Sequence, residues 1–360
     1  MRIKKALFLG TLFTAVSGMS LFAQAGVSYA KSTKETTEAS SEEATEAESE
    51  EETSEEVTYP IVIEHAFGET VIESRPERIV TVGWENQDTP LALGIAPVGV
   101  SAANYGLVTE NNLHPWTDEA FADLGVEEPV VFDDVDGLDF EQISDCDPDV
   151  ILASYSGLTQ EDYDTLSQIA PVIPYKENAW QTTWREQTIE NAEGMGMKAE
   201  GEKKVKEVED LIAEKLEEYP QLEGIPTAFC WINADDFSTF YVYLPTDPRA
   251  SYLLDLGFTL PESVQELAGE TDDFNITVSR ENADQLDDIE MMVVYGDEDL
   301  LKALQEDKLM SQIPAIKNGA VVLIDSTSAL AGAATPSILS IPYEIDEYLE
   351  LFAKAAENIK

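Results

Sequence analysis

Five aromatic side chains fall where a ligand would meet them if the apolar runs beside them are strands. Trp84 follows the run 79–82, Tyr105 follows the run ending near Val100, Tyr155 comes after 150–153, Tyr295 comes directly after 291–294, and Trp231 lies inside 227–232. Ligands of open α/β sheets sit beyond the carboxyl ends of the strands, and a cleft walled by such rings suits a bulky, partly apolar molecule. Any one of these rings would serve equally as core packing; Tyr155 and Tyr295 are set apart by the repeat described below. Cations able to join them are few: Arg185, Arg249 and Arg280, with Lys176 behind them. Arg249 has a structural partner within reach in Asp247, and Trp180 and Trp184 either line the floor of a cleft or pin a hinge. The ligand contacts expected from sequence are therefore Trp84, Tyr105, Tyr155, Trp184, Arg185, Trp231, Arg249 and Tyr295.

Catalytic patterns are missing. Asp133-Asp134, Asp235-Asp236 and Asp287-Asp288 are the adjacent pairs expected in so acidic a chain, and neighbouring residues seldom converge on one substrate atom. The two histidines, His65 and His114, have no metal-ligand spacing to each other or to cysteine. No glycine-rich phosphate loop and no G-x-S-x-G elbow occurs. The expectation is a binding protein, not an enzyme, with no intrinsic cofactor and no metal held by its own side chains.

The elements that would position the rings alternate short apolar runs with helical patterns, and near-continuous apolar strands belong in parallel sheets covered on both faces. Two stretches repeat. Asp139-Phe140-Glu141-Gln142 opens a helix, a strand follows at 150–153, then Tyr155, and Ser167-Gln168-Ile169 precedes Pro171. Ser279-Arg280-Glu281-Asn282 opens a helix, a strand follows at 291–294, then Tyr295, and Ser311-Gln312-Ile313 precedes Pro314. Glu141 to Tyr155 and Glu281 to Tyr295 are both 14 residues. Between the copies, Thr183-Trp184-Arg185-Glu186 fits a capping box, and Val205, Val208, Leu211, Ile212, Leu216 and Tyr219 recur at helical spacing until Pro220. The expected fold is α/β, with two Rossmann-like lobes, 58–182 and 221–360, whose mostly parallel sheets are joined by a single long helix over 183–220. Gly194 and Gly196 are positions at which that helix would kink or divide.

The N-terminus carries Arg2, Lys4 and Lys5, an apolar run over 6–16, and small-residue cleavage options after Ala25 or Ala30. Residues 1–30 are thus expected to be an export signal, and the protein to work outside the cytoplasm, at the cell surface or in a periplasm. Met19 stands where a lipoprotein box would have its cysteine, so no lipid anchor is expected, and no later run approaches the length of a transmembrane helix. Residues 31–57 are almost wholly Glu, Ser, Thr and Ala, an acidic tether without the apolar surface to fold. From residue 58 onward there are 61 acidic against 16 basic residues. Nucleic acid is excluded as a partner by that balance. Cys146 and Cys230 fall in different lobes and are expected to be free, buried thiols.

With these features assembled, the chain resembles the iron-siderophore substrate-binding proteins of ABC importers, in the class with a helical lobe connection. The likeness is carried by ERIVTVGWENQDTPLALGIAPVGV from Glu77, FEQISDCDPDVILASYSGLTQEDYDTLSQIAPVIPY from Phe140, WQTTWREQ from Trp180, SYLLDLGF from Ser251 and the Pro-Ala-Ile-Lys-Asn-Gly segment from Pro314. It implies a monomer that captures a ferric siderophore between its lobes, the iron being held by the siderophore. It also implies delivery to an ABC permease whose basic residues receive one acidic knob from each lobe, here Glu141 and Glu281, the pair the repeat had singled out. An anionic tris-catecholate would demand several converging cations, which this chain lacks, so a neutral or cationic ferric hydroxamate is the easier ligand. Haem, cobalamin, or a surface-displayed adhesin on the same fold are the alternatives.

Overall fold

The computed structural model describes residues 57–360; the expected signal segment and all of the tether except Val57 lie outside the described residues. A β-hairpin, β1 (Ile61–His65) and β2 (Gly68–Ile72), precedes the first sheet. That sheet contains β3 (Ile79–Thr81), β4 (Gly99–Ser101), β5 (Val131–Phe132), β6 (Val150–Ala153) and β7 (Val172–Pro174), in the spatial order β5-β4-β3-β6-β7 with every pairing parallel. The second sheet contains β8 (Thr227–Ile232), β9 (Thr239–Tyr243), β10 (Asn275–Ser279), β11 (Met291–Tyr295) and β12 (Val321–Ile324), in the order β10-β9-β8-β11-β12. Both orders place the first and fourth strands of the sheet side by side, which is the Rossmann arrangement and creates a crevice where the connections diverge. Strands β6 and β11, buried along their whole length, are equivalent in the two lobes, as the repeat requires.

The second lobe departs from the expected pattern at one edge. Its β8, β11 and β12 are parallel, but β9 runs antiparallel to both β8 and β10. Only residues 233–238 separate β8 from β9, too few for the dozen or more a parallel crossover needs. Asn233 and Asp236 close this short turn by accepting from the backbone N–H groups of Asp235 and Ser238. In the first lobe the equivalent connection, 82–98, has room for the helix Asp88–Ala92.

The link between the lobes is two helices, not one. Trp184–Gly194 starts on the expected capping box: the Thr183 hydroxyl accepts from Glu186 N–H, and the Glu186 carboxylate accepts from Thr183 N–H. The helix stops at Met195, and Gly196, at φ +66°, turns the chain into Lys198–Leu216. A Cβ at Gly196 would collide with the Tyr59 hydroxyl, so the break is held by packing from the N-terminal segment. Val205, Val208 and Ile212 of the second helix bury themselves in the second lobe's core with Tyr348, Leu349 and Phe352 of the last helix, Ser340–Ala356.

Elsewhere the lobes touch directly. Leu107 N–H donates to Ser328 O at 2.9 Å, and Gly106, at φ +79°, sits so close to Gly332 N that a side chain has no space there. Cys146 and Cys230 are unpaired and buried in separate lobes.

Candidate ligand-binding site

The crevice of the first sheet is built on a buried asparagine. After β3, Gly83 (φ +86°) and Glu85 (φ +55°) bend the chain back on itself, and Asn86 turns inward with no solvent exposure. Its Nδ2 donates to Val82 O (2.8 Å) and Tyr155 O (2.9 Å), while its Oδ1 accepts from Tyr155 N–H (3.1 Å) and Asn191 Nδ2 (3.0 Å). One side chain thus joins the ends of β3 and β6 and ties both to the helix Trp184–Gly194. Gln187 of that helix adds a bond to Trp84 O at 2.8 Å. Buried polar groups are tolerated only when satisfied in this way, and here they hold Trp84 and Tyr155 at the crevice.

Behind Trp84 lies a second buried cluster. Asp88 is fully enclosed and accepts from Trp116 Nε1 (2.9 Å), Thr117 Oγ1 (2.8 Å) and, from the other lobe, Ser337 Oγ (2.5 Å). His114 stacks on Trp116, places Nδ1 3.1 Å from Glu85 Oε1 and Nε2 2.9 Å from Tyr105 O. Burial, with the neighbouring Glu85 charge adding to it, pushes Asp88 up to about 7. Burial likewise raises Glu85 well above the usual carboxylate range and lowers His114.

In the second lobe the wall is cationic and aromatic. Asp247, 1 % exposed, caps the helix Pro248–Asp255 and takes both arms of Arg249, at 2.8 Å from Nε and 2.7 Å from Nη2. The guanidinium lies 3.9 Å over the ring of Tyr243. Tyr295 packs edge-on against Tyr105 of the first lobe at 5.3 Å between centroids, and Tyr155 packs edge-on against Trp180 at 5.3 Å. Burial holds the Tyr155 and Tyr295 phenols far above their ordinary value, so both stay protonated.

These residues enclose a cavity of about 350 Å³ between the lobes, lined by Trp84, Tyr105, Tyr155, Trp180, Trp231, Tyr243, Arg249, Phe274, Tyr295 and Thr335. Six of the eight residues expected from sequence line it. Trp184 and Arg185 do not. Trp184 is 1 % exposed within the second lobe's core, its Nε1 3.0 Å from Asp255 Oδ2. Arg185 is engaged by Asp255 and Glu209, each at 2.6 Å. Both stand in the first turn of the helix Trp184–Gly194 and reach Asp255 of the second lobe instead of the cavity. Arg280 pairs with Asp307 and does not line the cavity. Sequence reasoning missed Tyr243, Phe274 and Thr335; Tyr243 had a signal, since it closes β9 two residues after Tyr241 and six before Arg249.

Glu141 and Glu281 are exposed, each at the second position of a short helix. The first helix, Phe140–Asp145, is capped by Asp139, which accepts from Gln142 N–H; the second, Arg280–Gln285, is a 3-10 turn capped by Ser279.

The chain belongs to the periplasmic binding protein family, whose model matches residues 79–327. Among solved structures it is similar to PiaA of Streptococcus pneumoniae TIGR4 in complex with ferrichrome, with 47% identity and a TM-score of 0.80, over 83% of this chain and 100% of that one. Another structure of the same protein, described as an iron uptake ABC transporter substrate-binding protein, gives 45% identity and a TM-score of 0.77 over the same shares. The petrobactin-binding protein YclQ of Bacillus subtilis (strain 168) is 25% identical over 304 residues, 81% of this chain and 88% of that protein.

Proposed function

We propose that this protein is the extracytoplasmic receptor of an ABC importer, capturing a ferric hydroxamate siderophore in the inter-lobe cleft and handing it to the permease through Glu141 and Glu281. The observation that carries the ligand class is the composition of the cavity wall: aromatic rings from both lobes, and one cation, Arg249, already matched by Asp247. A ferric tris-hydroxamate has no net charge and presents an apolar shell, which rings and a neutralised guanidinium accommodate. A ferric tris-catecholate carries three negative charges and needs converging unpaired cations. A relative that was solved with ferrichrome, at nearly half identity over most of the chain, supports the same class. Export is read from the basic and apolar N-terminal residues.

Trp84, Trp180 and Trp231 line the cleft, so a ferric chelate seated there quenches tryptophan fluorescence. Titration with ferrichrome, a ferric tris-catecholate, haem and cobalamin is the test. Saturable quenching by ferrichrome without comparable binding of the catecholate is expected. A Soret band from haem in place of ferrichrome binding would reassign the receptor.

A further inference from the structure

On the far side of the Trp84 and Trp180 rings lies a second compartment of about 340 Å³, confined to the first lobe. Both indoles line it as well as the main cavity, so the two spaces meet at this pair of rings. Trp180 holds its place, at φ +61°, because residue 157 is glycine: a Cβ there would run into the indole. The second compartment differs from the first in charge. Among the described residues its lining includes Asp134 and Asp162 and no Lys or Arg.

Asp134 is built into the wall. Its Oδ2 accepts from Ser101 Oγ at 2.5 Å, and Ser101 Oγ accepts in turn from Gly83 N–H at 3.0 Å, so the carboxylate is tied to the same turn that presents Trp84. Burial raises its pKa, with the Ser101 bond opposing, and among the described residues lining the space none is basic to pair with it. Asp162 is spent on the capping box of Thr159 and also lines the space. Val135, 66 % exposed, stands at the lip.

We infer that this compartment is a subsite for a cationic side arm of the ferric chelate, an alkylammonium paired with Asp134, the methylenes of the arm passing over the Trp180 ring and Val135. The inference rests on the siderophore reading above and deepens it: the aromatic cavity takes the iron-bearing core, and the acidic one selects among hydroxamates by what hangs from that core. An ammonium is attracted both to the carboxylate and to the faces of the two indoles, and the acidic surface of the protein favours its approach.

The test compares ferrioxamine B, a ferric trihydroxamate with one primary ammonium, with its N-acetyl derivative, in which that ammonium becomes a neutral amide, and with ferrichrome. By fluorescence quenching of the intact protein, ferrioxamine B should bind about tenfold or more tightly than the acetylated form, the scale of one charge-assisted hydrogen bond. High salt should narrow the gap. Asp134→Asn should bring the two within about twofold, whereas Asp136→Asn, on the same loop but outside the compartment, should retain the preference. Equal affinity of the two ferrioxamines in the native protein overturns the subsite while leaving the receptor assignment intact. A preference that persists in a folded Asp134→Asn variant removes Asp134 from it. Failure of all three chelates to bind overturns the receptor assignment itself, and the subsite with it.

Discussion

At the carboxyl edge of the first sheet the chain enters a buried polar cluster centred on Asn86, Glu85, Asp88 and His114; the second lobe instead brings to the cavity Arg249, paired with Asp247, and Tyr243 from the end of its antiparallel strand. The strand orders correspond, and so do Glu141 with Glu281 and Tyr155 with Tyr295. A shared scaffold therefore carries symmetric features where both lobes face the same object and asymmetric ones where the ligand is not symmetric. Glu141 with Glu281 and Tyr155 with Tyr295 are the symmetric features, the first pair being the docking surface in the proposed reading; the Asp88 cluster and the arginine wall are the asymmetric ones.

The largest expected effect tests the symmetric part. Reversing Glu141 and Glu281 together to Lys should abolish uptake in cells while ligand affinity changes little, since both lie on exposed first turns away from the cavity. Stability should fall only by the loss of helix-start stabilisation, about 0.3–1 kcal/mol per site. Normal import by the double variant would break the correspondence between the lobes at that edge. Next in size are the paired rings. Tyr155→Ala and Tyr295→Ala should each weaken binding by about 1–3 kcal/mol with the fold retained, as measured by fluorescence titration and thermal melting. A loss in only one of them would show that one lobe dominates capture.

The smallest effect addresses the asymmetric floor. Asp88 has a folded pKa raised from 3.8 to about 7, so the stability it contributes is fully present below its unfolded value and lost as pH rises toward 7. Asp88→Asn cannot ionise. Its stability relative to the native protein should therefore rise, by an amount on the order of 1 kcal/mol, from pH about 5 to about 7. Glu85 and His114 titrate beside it in both proteins, which keeps the difference small. Parallel pH dependences in chemical denaturation would mean that Asp88 is not buried as an acid.

The strands and the repeat were legible because β-branched and aliphatic runs such as 150–153 and 291–294 are buried on both faces of a parallel sheet and leave no alternation to confuse them. That Trp84, Tyr105, Tyr155 and Tyr295 line the cavity was legible for the same reason, since they end or follow such runs, whereas Trp231 lies inside one and Arg249 was read only from its charge. Trp184 and Arg185 misled because a capping box marks where a helix begins but not which face its first turn presents. The reversal of β9 was encoded in the length of 233–238, a loop too short to cross over. The cluster around Asp88 had no periodic or motif signal: its members at 85, 88, 114 and 337 are brought together only by tertiary packing.

The close approach of Gly106 to Gly332, with the Leu107 to Ser328 bond beside it and the Ser337 hydroxyl reaching Asp88, has a consequence for how such receptors can be recombined. The lobes look like interchangeable modules, yet each is cut to the other's backbone. A chimera that takes its first lobe from a relative with any side chain at the position of Gly106 would be propped open, and one whose second lobe lacks the Ser337 hydroxyl would leave a buried carboxyl one donor short. Specificity can be grafted into the cavity walls of this scaffold; the seam between its halves has to be inherited as a matched set.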